Sequence, residues 1–482
     1  AGNAYSLHVA PRWLIIRCLT VSLQMDLLWA FINEFRCIYV CLLLLVGFER
    51  TFTGLASSKP GGQASKGRRA QATKEELATW KAAAGLEDEA VKAMTRGDLG
   101  TGTQKYFGAC KLRRAPDLQV DTATGHPLTL AVEHGFRRVG RVKLRHDAEQ
   151  LDHLVKAGLL PAAPYGRIAE LFRRLIPRLP REHVAVDIDP GIHPYFDRAY
   201  NRALHLTWPG RTAPASTALS RDFDAKGLER RFRASALAPE AQGCEAQNGV
   251  AYADGLLAEP VLKQLYQWCL ESTMWFSSRS GYVAAFMQEA FNAPLLVQVV
   301  EELRSALPSI LGEHQLMNMW AFKYANNASD WPLEGVAVHA DVAAVNVNLW
   351  ISEDSANEDP EGGGLFVYTK QAPRDWGFED YNSLSEVPRI RAYLNDSKRI
   401  VVPHRRNRVL IFNSNLFHES QTPRFRPGYT GRRINLTFLF GRRCGGAGAN
   451  EGQAATQAAR DKRLSDKAGT KKGAKGSQQY EL

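Results

Sequence analysis

Two titratable residues, His339 and Asp341, interrupt the apolar stretch GVAVHADVAAVNVNLWI at residues 335–351. Ionisable side chains inside an apolar strand cost free energy unless something pairs with them. Two positions apart in an extended chain, they point to the same side, with Ala340 turned away between them. An imidazole and a carboxylate on one face are two donors of a three-donor facial metal site. A lone His-x-Asp arises by chance in many chains, so a third donor must come from elsewhere. His418 is the best candidate, because it follows the strand-like run NRVLIFNS. His404 precedes that run in the basic turn PHRRNR, a poor place for a ligand. Two imidazoles and one carboxylate would fill three coordination positions and leave three open.

The last apolar run, GRRINLTFLFG, offers a cation. Alternation puts Arg433, Asn435 and Thr437 on one face and Ile434, Leu436 and Phe438 on the other. Arg432 and Arg433 therefore point oppositely, and only one can meet an interior ligand. An arginine there can hold a carboxylate through two parallel hydrogen bonds. Taken alone, the pair reads more simply as surface charge flanking a strand. Asn346 and Asn348 alternate with Val345, Val347 and Leu349. They either face the metal space or serve as satisfied structural amides.

Such residues need a scaffold that brings distant strand ends together. The runs LMNMWAFKY, GVAVHA, AAVNVNLWI, GGGLFVY, RIVVP, NRVLIFNS and RINLTFLFG read as short strands with turn signals between them. Strands without intervening helices predict an antiparallel barrel or double-sheet jelly roll, here spanning about 315–443. The insertion TKQAPRDWGFEDYNSLSEVPRIRAYLNDSKR, with Trp376, Phe378 and Tyr381, is expected to form a lid or pocket wall. Upstream, a helix is expected near Glu259, and VAAFMQEAF and PLLVQVVEELRSALPSIL continue as helices. Residues 183–249 read as an irregular connector, whose isolated His193 and His205 are better explained as hydrogen-bonding residues than as ligands. Residues 74–182 carry apolar side chains at three-to-four spacing in KEELATWKAAAGLEDEAVKAM, HDAEQLDHLVKAGLL and YGRIAELFRRLIPRL. They form a helical region, for which a structural supporting role is preferred.

Several of these segments, taken in order, resemble the 2-oxoglutarate- and Fe(II)-dependent dioxygenase superfamily of the prolyl-hydroxylase-like kind. DGLLAEPVLKQLYQWC resembles its first strand and helix, and FKY followed by GVAVHAD its tyrosine and H-x-D strands. VNLWIS and EGGGLFVY resemble two strands joined by a Gly-Gly turn, VVPHRRNRVLIFNSNLFHES the distal-histidine segment, and RRINLTFLF the final strand. The match covers residues 250–443. It also resembles bacterial oxygenases that join such a domain to an N-terminal helical region. The resemblance implies an α+β fold: a double-stranded β-helix (jelly roll) catalytic domain with flanking helices, preceded by a small helical region. It implies Fe(II) on His339, Asp341 and His418, with 2-oxoglutarate chelating the metal and its far carboxylate on Arg433 rather than Arg432. Tyr324 matches a strand lining the co-substrate pocket, and Asn346 is placed near the metal. The implied enzyme is an oxidoreductase that uses O2, hydroxylates a substrate and releases succinate and CO2, with ascorbate as reductant in vitro. Related halogenases lack the carboxylate that Asp341 supplies, so hydroxylation or demethylation is expected. One departure is the gap from His418 to Arg433, longer than in typical prolyl hydroxylases; the loop QTPRFRPGY takes it up and leaves Arg424 and Arg426 as weaker carboxylate candidates.

The substrate is not written in the sequence; a small molecule or a protein fits equally. The net charge of +11 invites nucleic acid as a partner. Much of that charge lies in SKGRRAQATK and RDKRLSDKAGTKKGAKG, which read as solvated arms, so nucleic acid is not favoured. Two rival readings stand beside the hydroxylase. One is a nucleic-acid or protein demethylase, since RRINLTF resembles the arginine-rich final strand of alkylation-repair demethylases. The other is a cupin-like metal isomerase or binding protein. Seven cysteines without a CxxC pair argue against a disulfide framework. The apolar run 37–48 is short for a membrane span. With the first methionine at Met25, residues 25–58 read either as a secretory or organelle leader, with membrane association through 37–48, or as an amphipathic helix of a cytoplasmic protein; translated upstream sequence is a third account. Residues 1–73 are expected to hold that leader or targeting segment, if one is made, and a linker, and 444–482 a disordered basic tail.

Overall fold

Side chains alternate between two faces along each strand, and that sorting assembles the fold. The computed structural model describes residues 74–115, 138–181, 184–187, 196–211, 216–235, 249–329 and 332–443. The leader, the apolar run 37–48, His193 and the basic tail lie outside the described residues. Among the described residues no helix is long and apolar enough to cross a membrane.

Helices α1 (Lys74–Thr95) and α2 (Leu99–Arg113) open the described chain. Asp98 caps α2 by accepting from the Thr101 amide at 3.0 Å. After β1 (Arg138–Val139) come α3 (Arg141–Lys156) and α4 (Ala162–Leu175), then β2 (Val186–Asp187), which pairs with β1. Leu144, Leu151, Ile168 and Phe172 of α3 and α4 pack with Phe196 and Tyr200 in a satellite core. The stretch read as an irregular connector contributes α5 (Phe196–Ala199) and α6 (Ala225–Ala234). Asp224 caps α6 by accepting from the Gly227 amide at 2.8 Å, and Leu228 and Phe232 of α6 are buried.

Next follow β3 (Val250–Ala253), α7 (Glu259–Glu271), β4 (Ser277–Arg279), β5 (Tyr282–Phe286), α8 (Pro294–Ala306), α9 (Pro308–Leu311), β6 (Leu316–Tyr324) and β7 (Val345–Trp350). The chain ends with β8 (Leu365–Gln371), α10 (Phe378–Asn382), α11 (Val387–Tyr393), β9 (Arg399–Val402), β10 (Val409–Asn413), β11 (Leu416–Ser420) and β12 (Ile434–Phe440). Seven strands form one sheet in the order β3-β10-β7-β12-β6-β5-β4, and three form a second in the order β11-β8-β9. Every pairing is antiparallel.

On the outer face of the large sheet, Val345, Val347, Leu349, Ile411, Leu436 and Phe438 pack with α7 and α8. Ala90, Tyr106 and Val142 of the helical region join the same core, so those helices are packed on the sheet and not strung beside it. On the inner face, Trp350, Leu410 and Phe412 meet Leu365, Val367 and Leu416 of the small sheet. Burying each such Val, Leu or Phe contributes roughly 1.5–3 kcal/mol, enough in sum to hold polar side chains between the sheets.

Three expectations change. VAAFMQEAF does not form a helix: its first residues belong to β5. Val283 and Ala285, two apart, are fully buried, and Tyr282 and Phe286 register with Tyr324 and Trp320 of β6. Period-two packing against a neighbouring strand overrides helical propensity there. GVAVHA is not a full strand either; it makes a single bridge, His339 to His418. The 372–398 insertion sends its apolar side chains against the segments that carry His339 and His418. Tyr381, Ile390 and Leu394 pack with Val338, Ala340 and Phe417, the residues flanking His339 and His418. Ala340 is clasped at both ends, its amide donating to the Tyr381 carbonyl (3.0 Å) and its carbonyl accepting from the side-chain Nδ2 of Asn382 (2.6 Å).

Candidate metal centre

The bridge between His339 and His418 fixes two imidazoles side by side. Each residue's amide donates to the other's carbonyl, at 3.0 and 2.8 Å, and their ring centroids lie 4.3 Å apart. Asp341 is tied by its amide to the Ser414 carbonyl at 2.9 Å. Its carboxylate oxygens stand 3.7 Å from His339 Nε2 and 3.4 Å from His418 Nε2. One donor atom from each residue falls within 4.8 Å of the others.

The tautomers follow from the second nitrogens. His339 Nδ1 lies 2.8 Å from the Ala337 carbonyl and His418 Nδ1 3.0 Å from the Leu416 carbonyl. A carbonyl only accepts, so each Nδ1 carries the proton and each Nε2 presents a lone pair to the shared space. Burial, and then the neighbouring His418, pushes the His339 imidazole down to about 4. Burial alone would push the Asp341 carboxyl up, but the polar groups facing it, the two imidazoles and the Asn346 amide among them, outweigh burial and leave it below its ordinary value. A neutral His339 and an ionised Asp341 are protonation states that suit a divalent ion.

A line of hydrogen bonds leads away from this cluster. Asn346 Nδ2 donates to Asp341 Oδ2 (2.5 Å), Asn348 Nδ2 to Asn346 Oδ1 (2.6 Å), and Thr437 Oγ1 to Asn348 Oδ1 (2.9 Å). Asn435 Nδ2 then donates to Thr437 Oγ1 (3.3 Å), and Arg433 Nη1 to Asn435 Oδ1 (3.4 Å). Asn346, Asn348, Asn435 and Thr437 come from the inner faces of β7 and β12, where period-two alternation set them, and Arg433 immediately precedes β12.

Arg433 is fully buried and no carboxylate pairs with it among the described residues. Its guanidinium sits 4.3 Å from the Tyr324 ring, Nη2 donates to the Gly364 carbonyl at 3.3 Å, and Nε has no partner. Gly364 must be glycine, because a Cβ there would run into the Val402 carbonyl. The Tyr324 hydroxyl is 3.0 Å from Ser420 Oγ. Arg424 and Arg426 are exposed. Parity along β12 thus separates Arg433 from its neighbour as the strand alternation predicts. Asn346 reaches the Asp341 carboxylate itself.

Sequence reasoning passed over His404. It is 5% exposed although its turn is basic, and neither ring nitrogen makes a hydrogen bond, Nδ1 standing 3.7 Å from Asp354 Oδ1. Its ring lies 6.2 Å from Trp350 and 5.1 Å from Phe425. The local sequence PHRRNR signals a surface turn; only the packing of Trp350 and Phe425 reveals the burial.

No family model matches the chain, and no curated protein does. Among solved structures, the non-heme alpha ketoglutarate dependent carbocyclase SnoK from nogalamycin biosynthesis is similar at 13% identity, over 47% of this chain and 87% of that one, with a TM-score of 0.33. A Pseudomonas putida prolyl-4-hydroxylase is similar at 16% identity, over 45% of this chain and 99% of that one, with a TM-score of 0.29. HygX from Streptomyces hygroscopicus, solved with nickel, 2-oxoglutarate and hygromycin B bound, is similar at 13% identity, over 41% and 84%, with a TM-score of 0.29.

Chemically, the cluster could hold one divalent ion on one side and leave the other side open. The ladder then joins that ion's carboxylate ligand to a buried cation with a vacant hydrogen-bond donor. A small anion carrying a second metal-binding group would satisfy both ends.

Proposed function

We propose that the chain is an Fe(II)- and 2-oxoglutarate-dependent oxygenase, with the two sheets forming a double-stranded β-helix around its metal. The observation that carries this reading is Arg433. A fully buried guanidinium without a counter-charge is expensive, and an anionic ligand removes the cost. Few small anions also bear a metal-chelating group at the other end; a 2-oxo dicarboxylate does.

In this reading His339, Asp341 and His418 hold the ion, and Arg433 with Tyr324 holds the far carboxylate of 2-oxoglutarate. Bound iron supplies O2 activation coupled to decarboxylation of the co-substrate. The balance would be O2, 2-oxoglutarate and a substrate C–H giving succinate, CO2 and a substrate C–OH. Asn346 fixes the orientation of the Asp341 carboxylate through its hydrogen bond. Trp350, Leu410 and Phe412 keep the space beside the ladder dry, which strengthens the Arg433–carboxylate attraction. Both histidines keep their Nε2 lone pairs available because Nδ1 is spent on backbone carbonyls.

The test is untargeted. Full-length protein with Fe(II), ascorbate and 2-oxoglutarate is incubated with cell extract. Succinate formation and substrate masses raised by one oxygen are expected, both abolished in His339→Ala. No succinate, with wild type and His339→Ala alike, would overturn the reading.

A further inference from the structure

The inner face of the large sheet continues past β12 onto β6 and β5, and there it carries rings in place of amides. Register sets Trp320 opposite Thr437 and Phe322 opposite Asn435, so both rings stand one strand away from the ladder. Phe286 stands opposite Trp320, and Tyr282 opposite Tyr324. Ring centroids lie 6.0 Å apart for Trp320–Phe322, 4.6 Å for Tyr282–Phe322 and 6.5 Å for Phe286–Phe322. The wall is continuous with the Arg433 site, because Tyr282 lies 5.3 Å from the Tyr324 ring that meets the guanidinium.

Three observations say what would cover it. Tyr282, Phe286, Trp320 and Phe322 are partly exposed and belong to none of the apolar cores. The Trp320 indole N–H is buried without an acceptor. At the outer end, the half-exposed Arg279 has its guanidinium 5.6 Å from the Phe286 ring, and no carboxylate pairs with it among the described residues. The wall therefore offers flat apolar faces, one unspent donor and one uncompensated cation.

Resting on the oxygenase reading, we propose that this wall binds the substrate, and that the substrate is a small molecule with a flat ring system and a carboxylate. The ring stacks on Trp320 and Phe322, where offset and edge contacts are favourable. The carboxylate meets Arg279. A ring seated there lies one strand from Thr437, whose hydrogen-bonded ladder runs through Asn348 and Asn346 to Asp341.

The probe is 2-naphthoate, titrated by calorimetry into the full chain loaded with Fe(II) under nitrogen. Saturating 2-oxoglutarate is present, so the Arg433 site is filled and the probe must bind elsewhere. Binding is expected to weaken at least tenfold in Trp320→Ala and in Arg279→Gln. Trp320→Phe, which keeps a ring and needs no cavity, is expected to retain most of the affinity. Leu384→Ala, on the exposed surface, should bind like wild type. The uncharged 2-naphthalenemethanol should bind wild type more weakly and Arg279→Gln equally. The proposal is overturned if wild type ignores 2-naphthoate, or if Trp320→Ala and Arg279→Gln bind it undiminished, as they would if another segment of the chain covered the wall. Binding of 2-oxoglutarate is read first on the same sample. A chain that takes 2-oxoglutarate but not the probe refutes the wall alone; a chain that takes neither refutes the metal centre.

Discussion

Glu149 and Arg432, 283 positions apart, form an ion pair at 2.8 Å. Glu149 belongs to α3 of the helical region, and Arg432 immediately precedes the arginine of the candidate site. Arg432 is 2% exposed and also donates to the Tyr324 carbonyl at 3.2 Å, while the Tyr324 amide donates to the Arg433 carbonyl at 3.0 Å. One helix therefore clamps the backbone of both residues assigned to the far carboxylate of the co-substrate.

Glu149→Gln should weaken 2-oxoglutarate binding severalfold while leaving metal content unchanged. It should also lower stability by about 2 kcal/mol, since it leaves a buried guanidinium without its counter-charge. Calorimetry with the metal-loaded protein and urea unfolding read the two effects. Unchanged 2-oxoglutarate affinity would show that the clamp has no bearing on the site. For the same reason a chain beginning at residue 250 should not give a stable enzyme: Arg432 loses Glu149, and the shared core loses Ala90, Tyr106 and Val142.

Under the proposed function Asn346 acts on the metal through Asp341. Asn346→Leu fills similar volume but removes the donor at Asp341 Oδ2, freeing the carboxylate to rotate. Ni(II) affinity should fall about 10–100-fold, the usual cost of losing a partner behind a metal ligand. Ni(II) titration on the purified variant checks this, and Asn346→Gln should recover less than half of the loss, since its amide sits one methylene too far out. An affinity equal to wild type would reduce Asn346 to a packing residue.

What could be read in the sequence was what obeys local periodicity. Alternation separated Arg433 from Arg432 and placed Asn346 and Asn348 opposite Val345 and Val347 before any distance was known. That His339 and Asp341 share one side was legible because extended backbone sets side chains two apart on one side, and His418 was singled out because it follows the strand-like run NRVLIFNS. The ladder's order was only half legible, since β7 and β12 become neighbours through the register Thr437 to Asn348, which no local pattern encodes. Glu149 was invisible for the same reason. The insertion was read as a lid or pocket wall from its aromatic content, and composition could not say which: Tyr381 packs with Val338 and Ala340 beside His339, because composition says that a segment buries rings and not what it buries them against.

Arg433 should show opposite effects on stability and function. Arg433→Met keeps the volume and removes an uncompensated buried charge, so the metal-free protein should gain about 1–4 kcal/mol in urea unfolding. The same variant should lose 2-oxoglutarate affinity by a factor on the order of 100, the worth of a charge-assisted bidentate contact. Arg433→Lys should lose about tenfold, because an ammonium cannot reproduce the two-pronged geometry. A destabilised Arg433→Met protein would mean that the guanidinium is structurally satisfied, and would remove the main argument for an anionic ligand.

His404 should make the fold acid-sensitive. Burial, then the positive charges of Arg433 and Arg408, pushes its imidazole down to about 3. In the unfolded chain the imidazole titrates at about 6.5. Between those values the unfolded state binds a proton that the folded state does not, so stability falls as pH drops through that window. At pH 4 the difference amounts to on the order of 3 kcal/mol, at about 1.4 kcal/mol for each pH unit below the unfolded value. His404→Phe removes the titration and retains a ring against Trp350 and Phe425. Urea unfolding of the metal-free proteins at pH 7 and pH 4 reads the effect, with other acid-labile groups such as His339 cancelling in the comparison. Wild type should lose on the order of 3 kcal/mol more than His404→Phe between the two pH values; equal losses would mean that His404 takes up its proton without leaving the folded core.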